Sequence, residues 1–181
     1  MIIKPFWELS VGLQDETYRL AHAVYPHESE GSACAAAFRA SLDPDEHRDF
    51  FDEHHIVDIR YWDALGSDRG PVLGTVGLYH TKGGYIFRKG LGQIEEPSIW
   101  LGYWMTHPEH RRRGVGGQTI DFAQTTARDE RQKTMLLYTG SAPDEAAAQV
   151  MYDERGFPIV KTWPNFEDAG YDIHIRKKSL R

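Results

Sequence analysis

The chain has 181 residues, of which 40% are hydrophobic and 27% are charged, and its formal net charge is −6. An acidic balance lacks the basic footprint of nucleic-acid-binding domains, so we expect no nucleic acid among its partners. The length suits a single domain, residues 1–181, built around one core. No apolar run approaches the roughly 20 residues that cross a bilayer, so we expect no membrane partner either.

The single cysteine, Cys34, excludes an intrachain disulfide and is typical of a reducing compartment. It lies in the apolar, helix-like stretch "SACAAAF", so we expect a buried structural thiol rather than a nucleophile. The first ten residues lack a charged segment followed by a long apolar one, and we read no secretory signal there. The sequence therefore predicts a cytoplasmic protein.

The first third of the chain predicts two helices. One helical face carries residues at spacings of three and four, namely Leu13, Thr17, Leu20 and Val24. Pro26 should end that helix. A second helix should begin with Asp43 as its N-cap, Pro44 at its first position and Glu46 closing a capping box.

Three strands should come next. Val57, Ile59 and Tyr61 alternate with Asp58, Arg60 and Trp62, which is typical of a half-buried strand. Further strands are expected at 72–80 and 98–105. The turn segments between the first strands are short, which favours antiparallel pairing, and residues 85–97 show no pattern that can be assigned.

The second half of the chain has a different pattern. Gly116, Ile120, Ala123 and Ala127 form one stripe of a helix, and residues 134–140 are almost continuously apolar, as in a strand covered on both faces. Strand, helix and strand over 98–140 then make a βαβ unit.

The chain should close with a helix and two strands. The helix is expected at 143–155, with Ala147, Val150 and Met151 facing inward and Gly156 ending it. The strands are expected at 159–163 and 171–178. The whole pattern predicts an α/β (α+β) fold with a mixed central sheet, in which an antiparallel N-terminal half precedes the βαβ unit and helices cover both faces.

The segment "THPEHRRRGVGGQT", residues 106–119, places three arginines and three glycines before a helix. Free backbone N–H groups at a helix N-terminus, close glycine backbone and guanidinium donors together suit a pyrophosphate. The segment is not a P-loop, because no lysine follows its last glycine. It is not a dinucleotide fingerprint, because Thr119 stands where the third glycine or alanine belongs.

The spacing that remains is Arg-x-x-Gly-x-Gly, carried by Arg111, Gly114 and Gly116, with "MYDERGF" (151–157) about one βα unit later. This order resembles the GNAT family of N-acetyltransferases, well over residues 98–157 and elsewhere by the order of elements. The resemblance implies a GNAT-like fold and acetyl-CoA as co-substrate, without a metal.

The same resemblance implies which residues hold the coenzyme. The pyrophosphate would lie on the N–H groups of residues 112–117, and the pantetheine arm along the strand from Trp104 to Thr106. A backbone N–H near Met105 would polarise the thioester carbonyl. The implied coenzyme-binding residues are Met105, Thr106, Arg111, Arg112, Arg113, Gly114, Val115, Gly116, Gly117 and Gln118.

For catalysis, the resemblance makes Tyr152 the acid that protonates the departing thiolate, while the amine attacks the thioester directly. The sequence departs from the family at two positions. Trp100, which cannot accept a proton, stands where some members carry a glutamate base, and Glu145 stands where many carry an asparagine that contacts the pantetheine arm. Glu96, Glu95 or a water chain remain open as the base, with Glu96 on the face of Trp100 if the strand extends back.

The acceptor is expected to be the primary amine of a small molecule. The resemblance places the carboxylate-rich segment 43–54 beside the acceptor cleft, where it would favour a cationic amine. The solvated helix face is the alternative reading of that segment. A protein N-terminus or lysine as acceptor, and a non-catalytic acyl-CoA sensor, also stay open, as do a monomer and a homodimer. No histidine spacing, including His54, His55, His107 and His110, matches a zinc site.

Overall fold

The computed structural model describes residues 1–25, 28–81, 98–165 and 170–181, and its centre is a seven-stranded sheet. The strands are β1 (Ile2–Pro5), β2 (Ile56–Leu65), β3 (Val72–Thr81), β4 (Ser98–Thr106), β5 (Thr134–Gly140), β6 (Ile159–Trp163) and β7 (Ile173–Ser179). Their order is β1-β2-β3-β4-β5-β7-β6. Among the described strands, only β4 and β5 pair in parallel. The predicted mixed sheet and its βαβ unit are confirmed.

Helices cover both faces of the sheet, as predicted. The α1 face carries α1 (Val11–Val24), α2 (Glu28–Leu42) and α3 (Arg48–Glu53), and the α4 face carries α4 (Val115–Asp129) and α5 (Ala146–Glu154). The stripe predicted for α4 is confirmed, since Ile120, Ala123 and Ala127 are all fully buried. None of the described helices is long and apolar enough to cross a membrane.

Two elements were not predicted, and one begins later than expected. Strand β1 has only four residues, and α2 has a small-residue composition whose periodicity is weak. At α3 the expected cap interaction forms, because the Glu46 backbone N–H donates to Asp43 Oδ1 at 3.1 Å. Residues 44–47 nevertheless stay in a turn, and the helix begins only at Arg48.

Strand β2 is not the half-buried strand that alternation predicted. Ile56 pairs with Thr81 and Asp58 with His80, so Val57 is an extra residue in a bulge and is 59% exposed. Beyond the bulge, residues 61–65 are all buried. The reason is that β2 lies inside the sheet, where helices cover both of its sides.

The inward face predicted for α5 was wrong in two of its three residues. Ala147 is exposed and Val150 is 58% exposed, whereas Tyr152 is buried. A 3-10 turn at Pro143–Glu145 precedes α5, and its tighter winding changes the rotational phase of the helix. The predicted stop is confirmed: Gly156 has a φ of 72°, and the Phe157 N–H returns to Tyr152 O at 2.9 Å.

Candidate active site

The loop between β4 and α4 presents an uncapped helix N-terminus. The His107 backbone N–H fixes the start of the loop by donating to Leu73 O at 2.9 Å. Gly114, with a φ of 81°, is the N-cap of α4 and has no side chain to satisfy the first turn. The N–H groups of the first three helical residues, 115–117, therefore have no acceptor within the helix. Arg111, Arg112 and Arg113 precede them and are exposed.

Gly116 is required by packing against the Trp104 ring, whereas at Gly117 the neighbouring atom is the end of a flexible arginine side chain that can move. A Cβ on Gly116 would lie 2.6 Å from Trp104 Cζ2, and a Cβ on Gly117 would collide with the guanidinium of Arg155. Gly114 is required instead by its left-handed backbone, because a Cβ there would meet no closer atom than Gln118 Nε2 at 3.5 Å. The sequence pattern predicted a close approach by pyrophosphate at all three glycines, and the structure gives a reason within the protein for Gly114 and Gly116.

A bulge in β4 decides which side chains reach this loop. Thr75 pairs with Met105 and Gly77 with Gly102, so two steps along β3 face three along β4. Tyr103 lies in this bulge with a φ of 36°. The extra residue inverts the alternation, so that Tyr103 packs on the α1 face and Trp104 on the α4 face. Without the bulge, Trp104 would point away from α4.

The bulge coincides with a notch between β4 and β5. The two strands pair at Ser98–Thr134, Ile99–Met135 and Trp100–Leu136, and no pairing between them follows in the described part of either strand. Parallel strands that separate leave the backbone groups of β4 directed into the gap. The notch therefore has the form that receives an extended chain as an additional strand.

The direction of the backbone decides which groups of β4 face the notch. Met105 pairs with Thr75, and His107, two residues on, donates to Leu73 of β3. Because successive residues of a strand direct their N–H groups to opposite sides, the Met105 N–H also faces β3. The backbone groups directed at the notch are therefore those of Trp104 and Thr106, the two neighbours of Met105. The Met105 side chain is buried on the α1 face.

Tyr152 lies on α5 beside this segment of β4. Its ring centroid is 5.7 Å from that of Trp104 and 6.1 Å from that of Phe157, and the Arg176 guanidinium lies 5.9 Å from it. Burial raises the pKa of the Tyr152 hydroxyl, the nearby Glu145 carboxylate raises it further, and Arg176 opposes both. Tyr152 is therefore protonated at neutral pH, as an exposed tyrosine would also be, and its hydroxyl is a weaker acid than in water.

The two positions where the sequence departs from the family have structural roles here. Trp100 is fully buried and stacks on Tyr79, with ring centroids 6.0 Å apart. The Glu145 carboxylate accepts hydrogen bonds from the Thr139 hydroxyl and, at 2.9 Å, from the Gly140 backbone N–H. Glu145 thus fastens the turn before α5 to the end of β5.

Other predicted residues fall outside this constellation. Glu96 and Glu95, the candidate bases, lie outside the described residues. Cys34 is fully buried and burial raises the pKa of its thiol, as expected for a structural cysteine. The acidic side chains of 43–53 are exposed, which favours a solvated surface there. In the described ranges, no group of three or more His, Cys, Asp or Glu residues has a geometry that would hold a metal.

The side-chain roles of Trp104 and Thr119 were not predicted from the sequence. The Trp104 indole N–H donates to Thr119 Oγ1 at 2.8 Å, and the Thr119 hydroxyl donates to Gly116 O at 3.0 Å. In the sequence, Thr119 stands out only as a residue that breaks the dinucleotide fingerprint. The role of Trp104 depends on the bulge at Tyr103, and alternation in the sequence gives no sign of it.

Comparison with known proteins agrees with this geometry. The model of the acetyltransferase (GNAT) family matches residues 18–157. The chain therefore belongs to the GNAT family and is an acetyltransferase of the acyltransferase class, with acetyl-CoA as its co-substrate. A search of curated proteins by sequence finds no match.

Solved structures share the fold at low sequence identity. A GNAT-family acetyltransferase from Desulfovibrio desulfuricans is 14% identical with a TM-score of 0.73, covering 99% of both chains. An aminoglycoside 6'-N-acetyltransferase complexed with coenzyme A is 16% identical with a TM-score of 0.70, over 100% of this chain and 98% of the other. The Escherichia coli ribosomal-protein-S18-alanine N-acetyltransferase is 13% identical with a TM-score of 0.59, over 99% and 93%.

Proposed function

We propose that this protein transfers the acetyl group of acetyl-CoA to the primary amine of a small molecule by direct attack of the neutral amine on the thioester. The observation that carries the proposal is the position of Tyr152. Its ring leans on Trp104, the strand residue whose backbone is directed into the notch between β4 and β5. The proposed proton donor, Tyr152, therefore lies beside the notch that would receive the pantetheine arm.

The uncapped start of α4 suits the pyrophosphate of the coenzyme. Free N–H groups of residues 115–117 and the positive end of the helix dipole favour a bound anion, and the exposed Arg111, Arg112 and Arg113 add guanidinium donors. Val115 and Gln118 belong to the same turn. Backbone N–H groups would therefore bind the pyrophosphate, and the arginine side chains would add positive charge around it.

The N–H groups of Trp104 and Thr106 suit the pantetheine end. A donor fixed in a strand costs no reorganisation when the thioester oxygen gains negative charge during attack. Tyr152, which lies on α5, supplies a proton to the departing sulfur. The proton that Tyr152 loses returns from solvent before the next turnover.

No nucleophile of the protein takes part in this scheme. Cys34 is fully buried and its thiol pKa is raised, so it holds little thiolate. The amine must be neutral to attack, and Trp100 cannot take its proton. Glu96, Glu95 and a water chain remain the proposed routes for that proton.

A small acceptor is favoured by the neighbours whose names specify a substrate. The aminoglycoside enzyme has a TM-score of 0.70, and the ribosomal-protein enzyme has 0.59, although identities of 16% and 13% carry the fold alone. A non-catalytic acyl-CoA sensor is the second candidate function, because Trp100, which cannot act as a base, occupies the place of the family's glutamate and is fully buried.

A thiol-release assay with acetyl-CoA separates these functions. The acceptors are polyamines, aminoglycosides, N-terminal peptides and lysine peptides, and coenzyme affinity is measured in parallel by calorimetry. We expect thiol release with a small amine in the micromolar-to-millimolar range of KM typical of enzymes. Release with peptides alone would overturn the small-molecule acceptor, and tight coenzyme binding with no release would favour the sensor.

A further inference from the structure

Trp104 joins the coenzyme loop to the proposed acid. Its indole N–H donates to Thr119 Oγ1 at 2.8 Å, and its Cζ2 atom lies against Gly116, where a Cβ would come within 2.6 Å. On its other side, its ring lies 5.7 Å from the Tyr152 ring, at an interplanar angle of 51°. One side chain therefore contacts the first turn of α4 and the tyrosine of α5.

The orientation of the indole is fixed by a relay of two hydrogen bonds. The Thr119 hydroxyl accepts from Trp104 and donates its own proton to Gly116 O at 3.0 Å, so its single proton is already committed. Thr119 is fully buried, and water cannot readily replace either bond. The indole plane is thus set by the backbone of the helix start itself.

Trp104 differs from the other neighbours of Tyr152 in the element that it comes from. Phe157 and Arg176 also lie against its ring, at 6.1 and 5.9 Å. Both follow Tyr152 in the chain and lie on the α5–β7 side. Trp104 alone among these three comes from β4, the strand whose backbone faces the notch.

We propose that Trp104, oriented by Thr119, is a positioning residue that sets the Tyr152 hydroxyl relative to the coenzyme loop. This inference rests on the proposed function of Tyr152 as an acid. On this inference, the bulge at Tyr103 matters for the site because it turns Trp104 toward α4 and α5. A misplacement of about 1 Å between reacting groups is enough to slow a reaction severely.

Thr119→Val tests the relay, because valine keeps the shape of threonine and removes the acceptor of the indole N–H. We expect kcat to fall on the order of ten-fold, while the coenzyme dissociation constant stays within about two-fold. Thr125→Val is the matched control: Thr125 lies on the same helix, is exposed, and its hydroxyl donates to the Asp121 carbonyl at 3.0 Å. This control should leave kcat unchanged.

A double-mutant cycle shows whether the effect passes through Tyr152. In a Tyr152→Phe background, Thr119→Val should cause no further loss of kcat, because the group being positioned is already absent. Equal losses in both backgrounds, or an unchanged kcat in Thr119→Val, would overturn the inference. If Tyr152→Phe itself keeps wild-type kcat, it is the proposed acid that fails.

A readout without substrate keeps the inference testable if no acceptor is turned over. The nine tyrosines can be labelled with 3-fluorotyrosine, and Tyr152→Phe identifies the fluorine resonance of Tyr152. Thr119→Val should shift or broaden that resonance, whereas Thr125→Val should leave it unchanged. An identical Tyr152 resonance in Thr119→Val and wild type would overturn the positioning role, whatever the activity.

Discussion

Trp100 and Trp104 lie four residues apart on one strand, yet they belong to different faces of the sheet and are used differently. Trp104 is half-buried on the α4 face and its N–H is bonded to Thr119. Trp100 is fully buried on the α1 face, and within the part of the chain that the structure describes its N–H has no partner. The bulge at Tyr103 separates the two environments.

The difference extends to the groups around each tryptophan. On the α1 face, the Tyr61 hydroxyl and Asp63 Oδ1 are likewise buried without a partner among the described residues. On the α4 face, Arg176 is 1% exposed but donates to Asp153 and, at 2.8 Å, to Phe157 O. Both faces nevertheless contain unpartnered buried atoms among the described residues, since Gln124 Nε2 and Arg176 Nε on the α4 face also lack a partner, and each such atom costs stability.

The largest expected effect concerns catalysis on the α4 face. Tyr152→Phe keeps the ring against Trp104 and removes the proton, so turnover should fall on the order of 10²- to 10⁴-fold with coenzyme affinity unchanged. Steady-state kinetics and calorimetry measure the two quantities. Tyr18→Phe, which removes a hydroxyl from α1 at a distance from the notch, is the control. A wild-type rate in Tyr152→Phe would leave solvent as the proton source.

The second prediction uses the unsatisfied carboxyl of the α1 face. Burial raises the pKa of Asp63 from 3.8 to about 7, although the Thr17 and Thr75 hydroxyls oppose this. The folded state therefore favours the protonated form, so this contribution to stability is complete below about pH 4 and is lost as the pH rises through 7. The loss amounts to at most about 4 kcal/mol.

Asp63→Asn removes this titration. Between pH 4 and pH 8, the difference in unfolding free energy between variant and wild type should move in favour of the variant by up to about 4 kcal/mol. Urea denaturation at several pH values measures it. Thr17→Val should have the opposite effect. It removes a hydroxyl that donates to the Asp63 carboxylate, so stability should fall more steeply as the pH rises. A parallel pH profile for Asp63→Asn and wild type would show that Asp63 is not the buried titrating group.

The third prediction tests the packing of the coenzyme loop. Gly116→Ala places a Cβ 2.6 Å from the Trp104 ring and should destabilise the protein by about 1–3 kcal/mol. Gly12→Ala is matched to it, since Gly12 is also the second residue of a helix but a Cβ there would meet no atom within 4 Å. That control should gain up to about 1 kcal/mol, because alanine is the better helix former.

The Gly116 result has a direct check. Combining Gly116→Ala with Trp104→Leu removes the colliding ring atoms and should recover part of the stability in urea. If Gly116→Ala is as stable as wild type, the glycine is required by the ligand and not by Trp104. Coenzyme affinity measured for both single variants then decides between the two reasons.

How well the sequence predicted each region depends on whether the signals for that region are local in the chain. The stripe of α4 and the stop at Gly156 were predicted well because each of these signals lies within a few residues. The orientation of Trp104 was not predictable, because one extra residue at Tyr103 inverts the alternation of side chains. The small-residue helix α2 and the phase of α5 were missed because periodicity alone does not fix either.

The smallest effect is expected at Tyr61. Its hydroxyl is fully buried, its ring packs on Phe38 with ring centroids 4.4 Å apart, and the hydroxyl has no hydrogen-bond partner in the described ranges. Tyr61→Phe removes that hydroxyl and keeps the ring, so stability should stay the same or rise by up to about 1 kcal/mol.

On the α4 face the corresponding change has the opposite sign. Thr119→Val breaks two formed bonds and leaves the Trp104 N–H buried without its partner, which should cost about 1–3 kcal/mol. Urea denaturation of the two variants, at one pH and with equal m-values, compares the faces directly. A loss above about 1 kcal/mol in Tyr61→Phe would mean that its hydroxyl is bonded in solution and that the predicted contrast with Thr119 is wrong.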